Sequence, residues 1–129
     1  LEFRRVLFRS KNFLSATQVK DLLIPNLDKL NFPYQIKIIP DIHNPPKYAD
    51  HVKTFFPFIN ELNTCLFTDN PYTYDCFINY GHNFEYQTQH ILPTRATNIR
   101  QMIINNNLNW KNFVPPNVND FITKNKPKF

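Results

Sequence analysis

Residues 34–68, YQIKIIPDIHNPPKYADHVKTFFPFINELNTCLFT, hold a strand signal, a helix signal and a second strand signal in succession. YQIKII alternates and is rich in isoleucine, which predicts a strand over residues 34–39. Residues 41–46 carry the turn chemistry of a loop. Tyr48, Val52, Phe55, Phe56, Ile59 and Leu62 then recur at offsets of four, seven, eight, eleven and fourteen. That spacing predicts an amphipathic helix from Lys47 to about Asn63, kinked at Pro57. TCLFT follows as a second strand, closed by the turn signal Asp69-Asn70-Pro71. Short connections between the three make a right-handed βαβ unit the natural arrangement.

Downstream, residues 77–86, FINYGHNFEY, place Gly81-His82 between two aromatic-rich runs. Glycine suits the first central position of a tight turn, so residues 75–80 and 83–88 are expected to form a β-hairpin, with Phe77 opposite Tyr86. Upstream, Ser15-Ala16-Thr17-Gln18 has capping-box spacing, and Val19, Leu22, Leu23, Leu27 and Leu30 share a helical face. The expected helix runs from Ala16 to about Leu30 and bends near Pro25. Ile99, Met102 and Ile103 mark another helix from about Arg95 to Asn106, and Asn117 is placed to cap a last short one. The fold class expected is therefore α/β or α+β. It is a small single domain over residues 11–123, with one βαβ unit, a β-hairpin, flanking helices and a tail at 124–129.

The first ten residues differ from the rest. They contain three of the five arginines and no lysine, asparagine or isoleucine, whereas the remainder is dense in all three. So abrupt a break is expected of a scar of cloning or sequence assembly, and the stretch looks like a translated sequencing adapter. Without it, twelve basic residues face nine acidic ones, and the net charge falls from +5 to +3. A mildly basic domain of about 119 residues can bury one core, and its thirteen Phe, six Tyr and single Trp supply the apolar surface. Nucleic-acid binding gains little from that charge, although Arg95, Arg100 and the tail lysines near Trp110 would form the patch for it. No apolar run approaches bilayer-spanning length, so no membrane partner is expected, and an intracellular setting is the expectation. Cys65 and Cys76 lack zinc-site spacing and read as two small, partly buried thiols, with a single disulfide as the other option. The lone glycine, Gly81, excludes a glycine-rich phosphate loop and a dinucleotide fingerprint. Turns must use the eleven prolines and the asparagines instead.

Asp41 and His43 leave the end of the first predicted strand, and Asp69 leaves the end of the second. On parallel neighbours all three would meet at one sheet edge, where two carboxylates and an imidazole suit a divalent cation such as Mn²⁺, Fe²⁺ or Zn²⁺. The strand followed by Asp-x-His resembles the first motif of calcineurin-like metallophosphoesterases. The resemblance implies metal binding by Asp41, His43 and Asp69; Thr68 stands where that family has glycine, and its Gly-Asn-His motif has no counterpart. The residues by themselves read first as turn-forming aspartates after strands, with His43 an exposed loop residue. Asn79-Tyr80-Gly81-His82 resembles the core motif of dehydroquinate-synthase-like cyclases, which implies a zinc-binding role for His82; Tyr86 occupies the place of the family's second histidine. His51 and His90 have no partner at ligand spacing.

The function expected is a non-catalytic module that binds another macromolecule, of a viral or phage-like kind. A metal-dependent phosphoesterase-like fragment using Asp41, His43 and Asp69 is the alternative, and a zinc protein using His82 the third. Because no core periodicity runs upstream of Ser15, deleting residues 1–10 is expected to leave the thermal midpoint unchanged. A loss of several degrees, equivalent to about 1 kcal/mol in a domain this size, would show that the decapeptide packs natively.

Overall fold

The computed structural model describes residues 13–68, 70–87 and 94–125. The leader, Asp69 and His90 lie outside the described residues. The chain is mixed helix and strand, compatible with α+β: α1 (Ala16–Asp28), α2 (Pro45–Phe55), β1 (Cys65–Phe67), α3 (Pro71–Ile78), β2 (Glu85–Gln87), α4 (Ala96–Ile104), a 3₁₀ helix (Leu108–Phe113) and α5 (Pro116–Lys124). It divides into two compact units, one holding α2 to β2 and the other holding α1 with α4 to α5.

The first unit is built on α2 and α3. Ala49 and Val52 of α2 bury against Cys76 and Phe77 of α3 and against Phe84. Phe77, 2% exposed, sets its ring edge-on to Tyr48 at 6.1 Å and to Phe84 at 5.4 Å. Burial raises the Tyr48 hydroxyl far above its ordinary pKa, and electrostatic coupling to Cys76 and Asp41 adds to the shift. Both cysteines are free thiols, Cys76 buried and Cys65 half-buried.

The βαβ unit expected over residues 34–68 does not form. The strand TCLFT forms β1, yet its partner is β2: the two run parallel with Cys65 beside Glu85, Leu66 beside Tyr86 and Phe67 beside Gln87. A parallel pair needs a crossover, and α3 supplies it. Residues 34–39 form no strand. Ile39 packs on the core while Lys37 stays exposed, so the alternating pattern reflects a half-buried connection and not a ladder. The expected helix to Asn63 stops at Phe55, because Phe56 precedes Pro57 and is driven out of helical geometry, to φ −129° and ψ 73°.

The expected hairpin over residues 75–88 is replaced by a helix, a turn and a strand. Asn70 accepts a hydrogen bond from the Tyr72 N–H at 3.0 Å and Pro71 opens the first turn, so α3 has a strong start signal. Thr73, Cys76 and Phe77 then bury one helical face. Phe77 consequently does not pair with Tyr86, whose ring stacks on Tyr74 at 4.1 Å. Gly81 does take positive φ, at +85°, but as the residue that ends a helix. The Gly81 N–H bonds Ile78 O and the His82 N–H bonds Phe77 O, the paired contacts of a Schellman motif.

The second unit uses asparagine for the same task. Asn106, at φ +55°, follows α4; its N–H bonds Ile103 O, and the Asn107 N–H bonds Met102 O at 2.8 Å. The Asn107 side chain then caps the 3₁₀ helix through the Asn109 N–H. In α1 the expected capping box is complete: the Gln18 N–H bonds Ser15 Oγ and the Ser15 N–H bonds Gln18 Oε1. Pro25 lies inside α1 and leaves the Asp21 carbonyl without its helical donor. One residue on, Leu22 O accepts from the side-chain amides of both Asn26 and Asn117, and Asn26 also donates to Asn117 Oδ1. Asn117 therefore does not cap α5, whose N-cap is Pro115; its carboxamide ties α5 to α1.

Replacing Gly81 with valine is expected to destabilise the protein by roughly 1 to 3 kcal/mol in urea melts, since a β-branched residue is strained at positive φ. An added Cβ would meet nothing within 4 Å, so the whole cost is conformational. Gly81→Asn should recover much of it, because asparagine tolerates that region.

Candidate functional site

Asp41 and His43 are adjacent, as their spacing requires, and locally bonded. Asp41 Oδ1 accepts the His43 N–H at 2.8 Å and Asp41 Oδ2 lies 3.4 Å from His43 Nδ1. His43 takes φ +49°, and the loop delivers Asn44 and Pro45 to the start of α2. Both side chains face solvent, Asp41 at 45% and His43 at 72% exposure. Because the partner of β1 is β2, Asp41 does not leave a strand neighbouring TCLFT. Among the described residues no three His, Cys, Asp or Glu side chains gather to hold a metal.

His82 is held at both ring nitrogens. Lys53 Nζ donates to Nδ1 at 3.1 Å, and Asp50 Oδ1 lies 3.6 Å from Nε2. Asp50 and Lys53 reach it together because they lie three apart on α2. The Lys53 ammonium also sits 5.5 Å from the Phe84 ring centre. In this arrangement neither imidazole nitrogen faces an open coordination position. His51 is occupied too, with Nε2 2.9 Å from Pro40 O. Trp110 is only 5% exposed, which removes it as a platform for stacking a base.

The feature that sequence reasoning missed follows Pro57. Ile59 packs on the core and its N–H bonds Phe56 O. The turn then closes through asparagine side chains: Asn60 Oδ1 accepts the N–H groups of Leu62 and Asn63, Asn63 Oδ1 accepts that of Asn60, and Asn63 Nδ2 donates to Phe58 O. Glu61 Oε1 accepts the Asn83 N–H at 2.8 Å and moors the turn to the segment entering β2. Phe58 and Leu62 are left outside, 62% and 99% exposed. The Phe58 ring is steadied edge-on by Phe56, at 6.2 Å. Hydrophobic periodicity places Leu62 on a helix face and Phe58 inside the same expected helix. The signal against it was Pro57 with two asparagines three apart, Asn60 and Asn63, each able to bond its neighbours' backbone.

Among the described residues the exposed Asp41–His43 pair gathers no third ligand, and a two-ligand site holds metal weakly. Adding Mn²⁺ is accordingly expected to leave the thermal midpoint unchanged in wild type and in Asp41→Asn alike; a rise that Asp41→Asn abolishes would establish a metal site there. No family model, curated protein or solved structure matches the chain.

Proposed function

We propose that this protein is a binding module for another protein, and that the turn over residues 57–63 is its anchor. The observation that carries the reading is an apolar pair held out on a rigid frame. Water gains nothing from Leu62 at 99% exposure, and burying a leucine of that kind stabilises a complex by roughly 1.5 to 3 kcal/mol. Flexible loops lose much of such a gain to ordering. Here the side chains of Asn60, Asn63 and Glu61 have already fixed the backbone, so binding costs less entropy. Anchors of this kind carry most of the energy of protein interfaces.

A phosphoesterase-like role keeps the adjacent Asp41 and His43 as its support, and its third residue, Asp69, lies outside the described residues. Exposed apolar anchors favour the binding reading.

A photo-crosslinking side chain placed at Leu62 is expected to capture a distinct partner in the expressing cells, and Phe58→Ser should suppress the capture. The same probe at Lys47, on an exposed polar position, should capture none of it. Equal cross-linking from both positions would refute the anchor. Phe58→Ser should shift the urea midpoint by no more than about 0.5 kcal/mol equivalent, as for an exposed side chain.

A further inference from the structure

Resting on the reading of residues 57–63 as an anchor, we infer that its partner is a basic protein segment with an apolar face, such as a lysine-rich amphipathic helix. Residues 37–91 contain six acidic side chains against three lysines, within a chain whose net charge is +5. Three of those carboxylates follow one another along the segment beside the turn. Asp50 lies 3.6 Å from His82, Glu61 bonds the Asn83 N–H, and Glu85 pairs in register with Cys65, three residues beyond Leu62. All three residues are exposed.

Two of the three lysines are drawn onto rings of the unit itself. Lys53 rests against Phe84 and His82, and Lys37 lies 6.0 Å from the centre of Phe56. The positive charge of Lys53 offsets Asp50 at His82, so the carboxylates that mark one side of the apolar tip are Glu61 and Glu85. A partner with lysines or arginines flanking its apolar residues meets attraction there, and an acidic partner meets repulsion. Selectivity by sign of charge follows without any buried ion pair, because the carboxylates stay at the solvated rim.

The test uses the full chain and two synthetic helical peptides that share one leucine face. One has a lysine polar face and the other a glutamate one, and fluorescence anisotropy is read at two salt concentrations. The lysine peptide is expected to bind and the glutamate peptide to bind far more weakly. Phe58→Ser with Leu62→Ser should abolish binding. Glu61→Gln with Glu85→Gln should weaken the lysine peptide by about fivefold and flatten its salt dependence, since exposed charge pairs are individually weak. Glutamine at position 61 retains an oxygen to accept the Asn83 N–H, so the turn should stay closed.

Two results overturn the charge inference while sparing the anchor: equal affinity for both peptides with continued sensitivity to Phe58→Ser and Leu62→Ser, or a preference indifferent to Glu61→Gln and Glu85→Gln. Lysine-peptide binding that ignores the loss of Phe58 and Leu62 overturns the anchor itself. Failure of the lysine peptide to bind overturns the inference outright.

Discussion

Phe77 is the side chain on which the first unit turns. Its ring meets Tyr48 of α2 on one side and Phe84 on the other, both edge-on, and it is almost wholly withdrawn from water. Edge-to-face pairs are worth about 0.5 to 1.5 kcal/mol beyond their area, and their geometry is directional. They therefore position α3 against α2 as well as holding it there. Ala49, fully buried, allows the close approach of the two helices. Phe84 in turn fixes where the chain enters β2 and gives Lys53 a ring to rest on. The parallel pair of three-residue strands is too short to stand alone and depends on that packing.

A second constraint is the scarcity of glycine. With one glycine in the chain, positive φ must otherwise fall to side chains that tolerate it, and Asn31, His43 and Asn106 take it among the described residues. Asparagine brings an amide that glycine lacks. The same residue type caps α3 at Asn70, caps the 3₁₀ helix at Asn107, closes the turn at Asn60 and Asn63, and links α5 to α1 through Asn117. The asparagine enrichment of the sequence is thus spent on backbone satisfaction. The same chemistry closes the turn that leaves Phe58 and Leu62 exposed.

Legibility in the sequence followed the locality of the signal. The capping box at Ser15, the strand TCLFT and the helix of Ile99, Met102 and Ile103 were readable because bonds within a few residues decide them. Residues 34–39 misled because alternation reports which side chains are half-buried, and a connecting segment lying on a core alternates as a strand does. PYTYDCFI has strand-like composition, but Asn70-Pro71 at its start and Gly81 beyond its end enforce a helix, and the packing of Phe77 completes it. Of the candidate site, the local Asp41–His43 contact was legible from spacing. The convergence with Asp69 rested on a strand that does not form. The turn at residues 57–63 stayed hidden because Ile59 and Leu62 continue the helical spacing of Tyr48, Val52, Phe55 and Phe56 even though the helix has ended before Pro57.

The amides at Leu22 O bear on how the chain acquires its structure. Asn117 reaches across 95 residues of sequence to that carbonyl, while every element of the first unit lies within one continuous stretch. As the chain emerges during synthesis, residues 37–91 can condense from neighbours alone. The second unit must leave α1 waiting until the last helix has been made. A folding pulse followed by hydrogen exchange would therefore see two kinetic classes, with α1 amides joining the later one despite their position near the start of the chain.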